Sequence, residues 1–148
     1  MIDDILKLGI NEMANLNFDC YCGKTHKVHI ENIIVNESAL KDLERVLAGF
    51  KDKSIFLVAD KNTYKVCGEK IEKELKKKRY NLKSYVFYTN SDLVPDEKSI
   101  GRLIIEVPKN TSLILAIGSG TINDICRFIS YKLDIPYIIV ATAPSMDG

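Results

Sequence analysis

The sequence predicts an α/β protein with an open, mostly parallel sheet and helices on both faces. Three observations carry this. Short β-branched runs alternate with segments of helical spacing along almost the whole chain. Two of the runs, Ile55–Ala59 and Leu113–Ile117, are apolar throughout, as strands covered on both faces must be. Right-handed crossovers between parallel strands then place the helices on both faces.

Taken in order, a leader with a short helix precedes a strand expected over Lys27–Asn36, where Val28, Ile30, Ile33, Ile34 and Val35 supply the β-branched content. Ser38 is placed to cap the next helix, whose stripe is Leu40, Leu43, Leu47 and Phe50. The apolar run Ile55–Ala59 is a buried strand ending at Asp60. Tyr64, Cys67, Ile71 and Leu75 mark the following helix, and Tyr85–Tyr88 the strand after it. Pro95 suits the first turn of a further helix, with Ile100, Leu103, Ile104 and Val107 on its apolar side. Leu113–Ile117 leads into Gly118-Ser119-Gly120-Thr121, a helix carrying Ile122, Ile125, Cys126, Ile129 and Leu133, and a last strand over Pro136–Thr142. No repeat, low-complexity tract or linker interrupts this order, so residues 1–148 are read as one domain.

Composition excludes several functions. The 148 residues are 46% hydrophobic and 28% charged, an ordinary globular balance. With 21 basic and 20 acidic side chains the net charge is +1, which leaves no basic footprint for nucleic acid. The run Lys76-Lys77-Lys78-Arg79 follows Glu69, Glu72 and Glu74 and reads as a solvated helix end whose charges oppose the helix dipole. No apolar stretch reaches the roughly 18 residues a membrane span needs. Asp3 and Asp4 stand where a signal peptide would carry positive charge. A cytoplasmic location and no membrane partner are expected. The four cysteines need not form a disulfide framework in a chain able to build its own core.

Ligands of open α/β sheets bind beyond the carboxyl ends of the strands. Three such ends here carry suitable residues: Asp60, Gly118–Thr121 and Thr142–Gly148. Gly118 and Gly120 allow unusual φ values and close backbone approach, and the helix that follows points free N–H groups at the same space. A diphosphate is the natural occupant there, and Thr121 adds a hydroxyl. Taken alone, G-x-G-T is equally a strand-to-helix turn that binds nothing. Asp60 can accept from the ribose hydroxyls of an adenosine, or serve as a turn or N-cap aspartate. In the common dinucleotide fingerprint the glycines come first and the acid about 20 residues later. Here Asp60 comes first, so that fingerprint is not the evidence.

The run Ala116-Ile117-Gly118-Ser119-Gly120-Thr121-Ile122-Asn123-Asp124-Ile125-Cys126-Arg127-Phe128-Ile129-Ser130-Tyr131, with Ile135–Val140 and Thr142-Ala143-Pro144-Ser145-Met146-Asp147-Gly148, resembles the glycerol-1-phosphate dehydrogenase family. The likeness is nearest to its bacterial branch, within the wider group of glycerol dehydrogenase, iron-containing alcohol dehydrogenases and dehydroquinate synthase. It implies a Rossmann-like, dehydroquinate synthase-like N-terminal cofactor domain. The implied reaction is hydride transfer between NAD(P)H and dihydroxyacetone phosphate or sn-glycerol 1-phosphate. Glycerol itself is the alternative substrate.

In that reading Asp60 holds the adenosine ribose, and Gly118, Ser119, Gly120, Thr121 and Ile122 wrap the diphosphate. Thr142 and Ser145 bind the cofactor near its nicotinamide. Asp147 hydrogen-bonds the substrate, and Asp124 supports the loop. The loop reads G-S-G where much of the group has G-G-G, which costs little if Ser119 keeps a negative φ. NAD is the expected cofactor because Asp60 repels a 2′-phosphate, although Lys61 or Lys65 could pair with one and admit NADP. The family further implies a divalent metal (zinc, nickel or iron) held by one Asp and two His in a helical second domain beyond the Asp147 position. Those ligands are absent from this sequence, so the chain alone is expected to bind nucleotide weakly without turnover. It reads as part of a longer enzyme that is a homo-oligomer at full length.

Two other readings stand beside this one. One is a nucleotide-binding module without catalysis. The other is a Cys/His zinc site at Cys20, Cys22, His26 and His29. Because C-x-C is tighter than usual zinc spacing, a hairpin with half-buried thiols and surface histidines is the preferred reading of that segment.

Overall fold

The structure, a computed structural model, describes residues 2–14, 16–27, 29–89 and 91–144. They fall into two compact units, Met1–Arg45 and Val46–Gly148, where the sequence suggests one continuous domain.

The first unit opens with two short helices, α1 (Ile2–Ile5) and α2 (Ile10–Met13), followed by an antiparallel hairpin of β1 (Asn17–Asp19) and β2 (Thr25–Lys27). The strand expected over 27–36 is not formed: β2 ends at Lys27, residues 29–36 are irregular, and Val28 lies outside the described residues. The ladder pairs Asn17 with Lys27. Among the described residues no strand pairs with residues 29–36.

Helix α3 (Ala39–Leu47) runs from the first unit into the second. Ser38 starts it through its carbonyl, which accepts from Lys41 N and Asp42 N. Its hydroxyl donates to Asn36 Oδ1 at 3.0 Å. Leu43 and Leu47 are buried while Leu40 is exposed, and Phe50 lies in a 3₁₀ turn, Ala48–Phe50.

The second unit contains β3 (Ser54–Asp60), α4 (Lys61–Thr63), a π-helical turn over Tyr64–Gly68, α5 (Glu69–Lys77), β4 (Asn81–Phe87), α6 (Glu97–Glu106), β5 (Thr111–Gly118), α7 (Gly120–Leu133) and β6 (Tyr137–Ala141). Its four strands form one sheet in the order β4-β3-β5-β6, and all three pairings are parallel. The observed sheet is thus the parallel α/β sheet that the alternating pattern predicts.

Side-chain alternation along the strands divides the core between two faces. Phe56, Val58, Ile114 and Ala116 pack with Leu103 of α6 and with Ile122, Ile125, Cys126 and Ile129 of α7. Ile55, Leu57, Ala59, Leu113, Leu115 and Ile117 alternate with them and are equally buried, as are Ile71 and Leu75 of α5, the helix that lies against β4. Every residue of β3 from Ile55 to Ala59 is at 0% exposure, which is why that run carries no polar side chain.

Two helix starts differ from expectation. Pro95 precedes α6 instead of opening it, because Asp96 takes the cap with Oδ1 accepting from Ser99 N at 2.8 Å. The helix expected from Tyr64 begins three residues earlier at Lys61, and it widens into the π turn, where Gly68 lets the Tyr64 ring approach its backbone. Among the described residues no helix is long and apolar enough to cross a membrane.

The connections decide where a ligand can sit. The path leaving β3 leads to β4 on one side of the sheet, and the path leaving β5 leads to β6 on the other. Counted from β3, this is the 2-1-3-4 order, whose crevice opens between the first and third strands at their carboxyl ends. Those ends are Asp60 and Gly118.

Candidate functional site

Asp60 is the N-cap of α4. Its Oδ1 accepts from Asn62 N at 2.7 Å and Thr63 N at 3.0 Å. The N-cap reading of this side chain holds: Oδ1 is committed to the cap, and Oδ2 takes no hydrogen bond among the described residues. Thr63 Oγ1 accepts from Asp60 N at 3.1 Å and donates to Ile117 O at 2.8 Å. That hydroxyl is buried and ties the end of β3 to the end of β5. Thr63 fixes the width of the crevice, and the sequence offers no sign of it, since its acceptor lies in another strand.

The glycine loop works differently from expectation. Neither Gly118 nor Gly120 has a positive φ; Gly23 is the positive-φ glycine among the described residues. Gly118 is required by packing, because a Cβ there would lie 2.5 Å from Ile122 Cβ. Absence of that Cβ lets α7 start directly against the strand end. A Cβ at Gly120 would meet nothing within 4 Å, so this position opens on free space. Ser119 caps α7 with φ −97°, which any residue adopts, and its carbonyl accepts from Asn123 N at 3.0 Å. Its hydroxyl does not cap the helix. The N–H groups of Gly120, Thr121 and Ile122 have no intrahelical acceptor and point out of the helix start, where a dipole's positive end favours an anion. The Ile122 side chain is fully buried, so only its N–H can serve a ligand.

Of these residues Asp60, Thr63, Ser119 and Thr121 line one cleft. It measures about 520 Å³ and is lined by Asp60, Lys61, Asn62, Thr63, Ser119 and Thr121, together with Phe87 at the end of β4 and Thr89, Ser91, Asp92 and Leu93. That size suits a small organic ligand. Thr142 stands beside the loop, its N–H donating to Gly118 O at 3.0 Å in continuation of the β5–β6 ladder. Asp124 is paired with Arg127 at 3.2 Å on the surface of α7. Lys65 lines a separate depression with Glu69, Lys70 and Lys73, which leaves Lys61 as the lysine of the cleft. Ser145 and Asp147 lie outside the described residues.

Cleft chemistry is that of binding and orientation. Its donors are backbone N–H groups, hydroxyls, the Asn62 amide and the Lys61 ammonium, its carboxylates Asp60 and Asp92. No imidazole lines it. These side chains can pair with a diphosphate and a ribose, and they do not include the mixed carboxylate and imidazole metal set that the sequence resemblance implies.

Comparison with known proteins places the chain in a family. The pattern of the family described as iron-containing alcohol dehydrogenase matches residues 34–148. A glycerol-1-phosphate dehydrogenase (NAD(P)+) of Geobacillus stearothermophilus is 34% identical over 142 residues, covering 94% of this chain and 35% of that protein. The protein of the same name from Bacillus subtilis (strain 168) is 32% identical over 127 residues, covering 84% and 32%. The chain thus spans about a third of the length of the curated relatives it matches. Among solved structures, glycerol dehydrogenase from Schizosaccharomyces pombe superposes with a TM-score of 0.58 at 21% identity, over 70% of this chain and 25% of that one. That likeness concerns the fold. With most of its length matched by the family pattern and its sheet bearing the cleft described above, the chain belongs to the iron-containing alcohol dehydrogenase family.

Proposed function

We propose that this chain is the cofactor-binding part of an NAD(P)-dependent glycerol-1-phosphate dehydrogenase. The observation that carries the reading is the convergence of Asp60, Ser119, Thr121 and the free N–H groups of α7 on one cleft at the sheet's switch point. Asp60 Oδ2 accepts from the adenosine ribose while Oδ1 keeps its cap. The diphosphate lies at the start of α7, over the open face of Gly120. From there the dinucleotide runs toward Thr142 at the end of β6, beside Gly118. Bound nicotinamide supplies the hydride that is exchanged with the substrate carbonyl carbon. This chain's residues orient it and keep the diphosphate charge paired. Ser145 and Asp147 complete the nicotinamide and substrate ends.

NAD is preferred to NADP because Asp60 carries a negative charge where a 2′-phosphate would sit, with Lys61 as the nearest offset. The names of the relatives at 30–34% identity favour a phosphorylated polyol over glycerol. No step is assigned to the family's metal, whose ligands the cleft does not contain. Assembly of the full-length enzyme as a homo-oligomer belongs to the same proposal.

The test is cofactor choice on Asp60→Asn, which keeps an oxygen for the cap and removes the charge. Affinity for NADH should fall about tenfold, the worth of a hydrogen bond to a charged group. Affinity for NADPH should hold or rise. Equal binding of NADH and NADPH by the unaltered chain would remove Asp60 from the role.

A further inference from the structure

The β1–β2 hairpin of the first unit carries a group that the cofactor cleft does not use. Its turn is closed by Cys20 N donating to Lys24 O and Gly23 N donating to Cys20 O, each at 2.9 Å. Gly23 has φ +81°, a value that favours glycine. This tight turn puts Cys20 at the end of β1 and Cys22 in the turn, facing His26 in the middle of β2. The two Sγ atoms and a His26 ring nitrogen all lie within 4.8 Å of one another. Cys22 Sγ is 3.3 Å from His26 Nε2. Tetrahedral zinc, with bonds of about 2.3 Å to sulfur and about 2.0 Å to nitrogen, sets its ligand atoms roughly 3.5–3.8 Å apart. Small side-chain rotations bring the three atoms to those separations.

Support from the neighbouring residues favours that geometry. Phe18 stacks on the His26 ring at a centroid distance of 5.4 Å, and Thr25 Oγ1 donates to Asp19 Oδ1 at 2.6 Å across the strand ends. The hairpin has no core of its own: five of its six strand residues are exposed and Phe18 is only half-buried. Isolated two-stranded hairpins are marginal in water, and units of this size commonly depend on a disulfide or a metal. All four cysteines are free thiols. A soft ligand set of two thiols and one imidazole selects zinc over hard cations.

We propose that Cys20, Cys22 and His26 bind one zinc ion that pins the β1–β2 turn, with water in the fourth position. Binding releases the two thiol protons to solvent. His29, exposed and outside the three-atom group, is not a ligand. The site is independent of the cofactor cleft and stands whether or not that cleft takes a dinucleotide.

The experiment is metal analysis of the 148-residue chain purified without chelator, alongside Cys22→Ser, His26→Ala and His29→Ala. One zinc per chain is expected for the unaltered protein and for His29→Ala, with loss in the other two variants. A thiol reagent applied to the unaltered chain should find two additional reactive thiols once a chelator is present, because Cys20 and Cys22 are then released while Cys126 stays fully buried. This second readout requires no variant to fold. Thiol reactivity unchanged by the chelator, zinc retained in Cys22→Ser, or zinc lost in His29→Ala would each overturn the proposal.

Discussion

The cleft of the second unit and the thiol–imidazole group of the first are both set by tight turns, yet they rest on different foundations. Asp60 and Gly118 end two strands whose middle residues are wholly buried, and Thr63 bolts those ends together with a buried hydroxyl. Cys20, Cys22 and His26 are brought together by a hairpin with no buried strand residue, through hydrogen bonds that water can replace. A site on a packed sheet keeps its geometry without its ligand. The proposed zinc would hold the hairpin's geometry, which no buried strand residue supports.

The contrast can be broken from the core outward. Phe56→Ala empties a fully buried position and should cost about 4 kcal/mol of the second unit's stability. Phe18→Ala in the hairpin, by the same chemistry, should leave that unfolding transition within about 0.5 kcal/mol. Denaturant unfolding followed by circular dichroism compares the two. Equal effects would mean that the sheet and the hairpin share one core.

Next in size is the pair of loop glycines. Gly118→Ala drives a methyl into Ile122 and should cost about 3 kcal/mol. Gly120→Ala meets open space and should leave stability within about 0.5 kcal/mol, yet weaken NADH binding by obstructing the diphosphate. Unfolding curves and NADH titrations on both variants separate packing from ligand contact. An unaltered affinity in Gly120→Ala would place the diphosphate elsewhere.

Thr63→Val retains the shape and removes the bridge between β3 and β5, leaving the Asp60 N–H and the Ile117 carbonyl each without that partner. A loss of about 1–3 kcal/mol is expected, with weaker nucleotide binding because the crevice is no longer held at its width. Stability unchanged in this variant would show that the bridge is dispensable.

These variants also mark what was legible in the sequence. Strands β3 and β5 and helix α7 were readable because burial on both strand faces forces unbroken apolar runs, and one-sided burial forces helical spacing. Asp60 was readable for the same reason: a charge directly after such a run must lie at a strand end. The strand expected over 27–36 failed because β-branched content reports a preference, while a strand needs a partner, and nothing in the local residues says that β1 begins opposite Lys27. At Gly118 the sequence suggested a φ requirement, whereas the glycine is needed because a Cβ would clash with the Ile122 side chain. Thr63 was missed because its partner is Ile117, far along the chain.

The smallest effect lies behind the cleft, at the π turn. Tyr64 donates to Glu72 Oε2 at 2.6 Å. That hydrogen bond, with burial and the Glu72 charge adding to it, pushes the phenol up to about 12 from its ordinary 10.0. The folded state therefore holds this proton more tightly than the unfolded chain. The stabilisation is complete below pH about 10 and is lost as pH rises through about 12. Tyr64→Phe should lose less stability across that window than the unaltered chain, as measured by denaturant midpoints at successive pH values. Parallel curves would show that the Tyr64–Glu72 bond contributes nothing.

The most direct measurement on the central claim is a residue-resolved titration of the isotope-labelled 148-residue chain with NADH. The account predicts that the amide signals of Asn62, Thr63, Gly120, Thr121 and Ile122 move together and saturate at a common affinity, while those of Cys20, Cys22 and His26 stay in place. Signals that move only in the hairpin, or a saturating titration that leaves Gly120 and Thr121 unchanged, would contradict dinucleotide binding at the ends of β3 and β5.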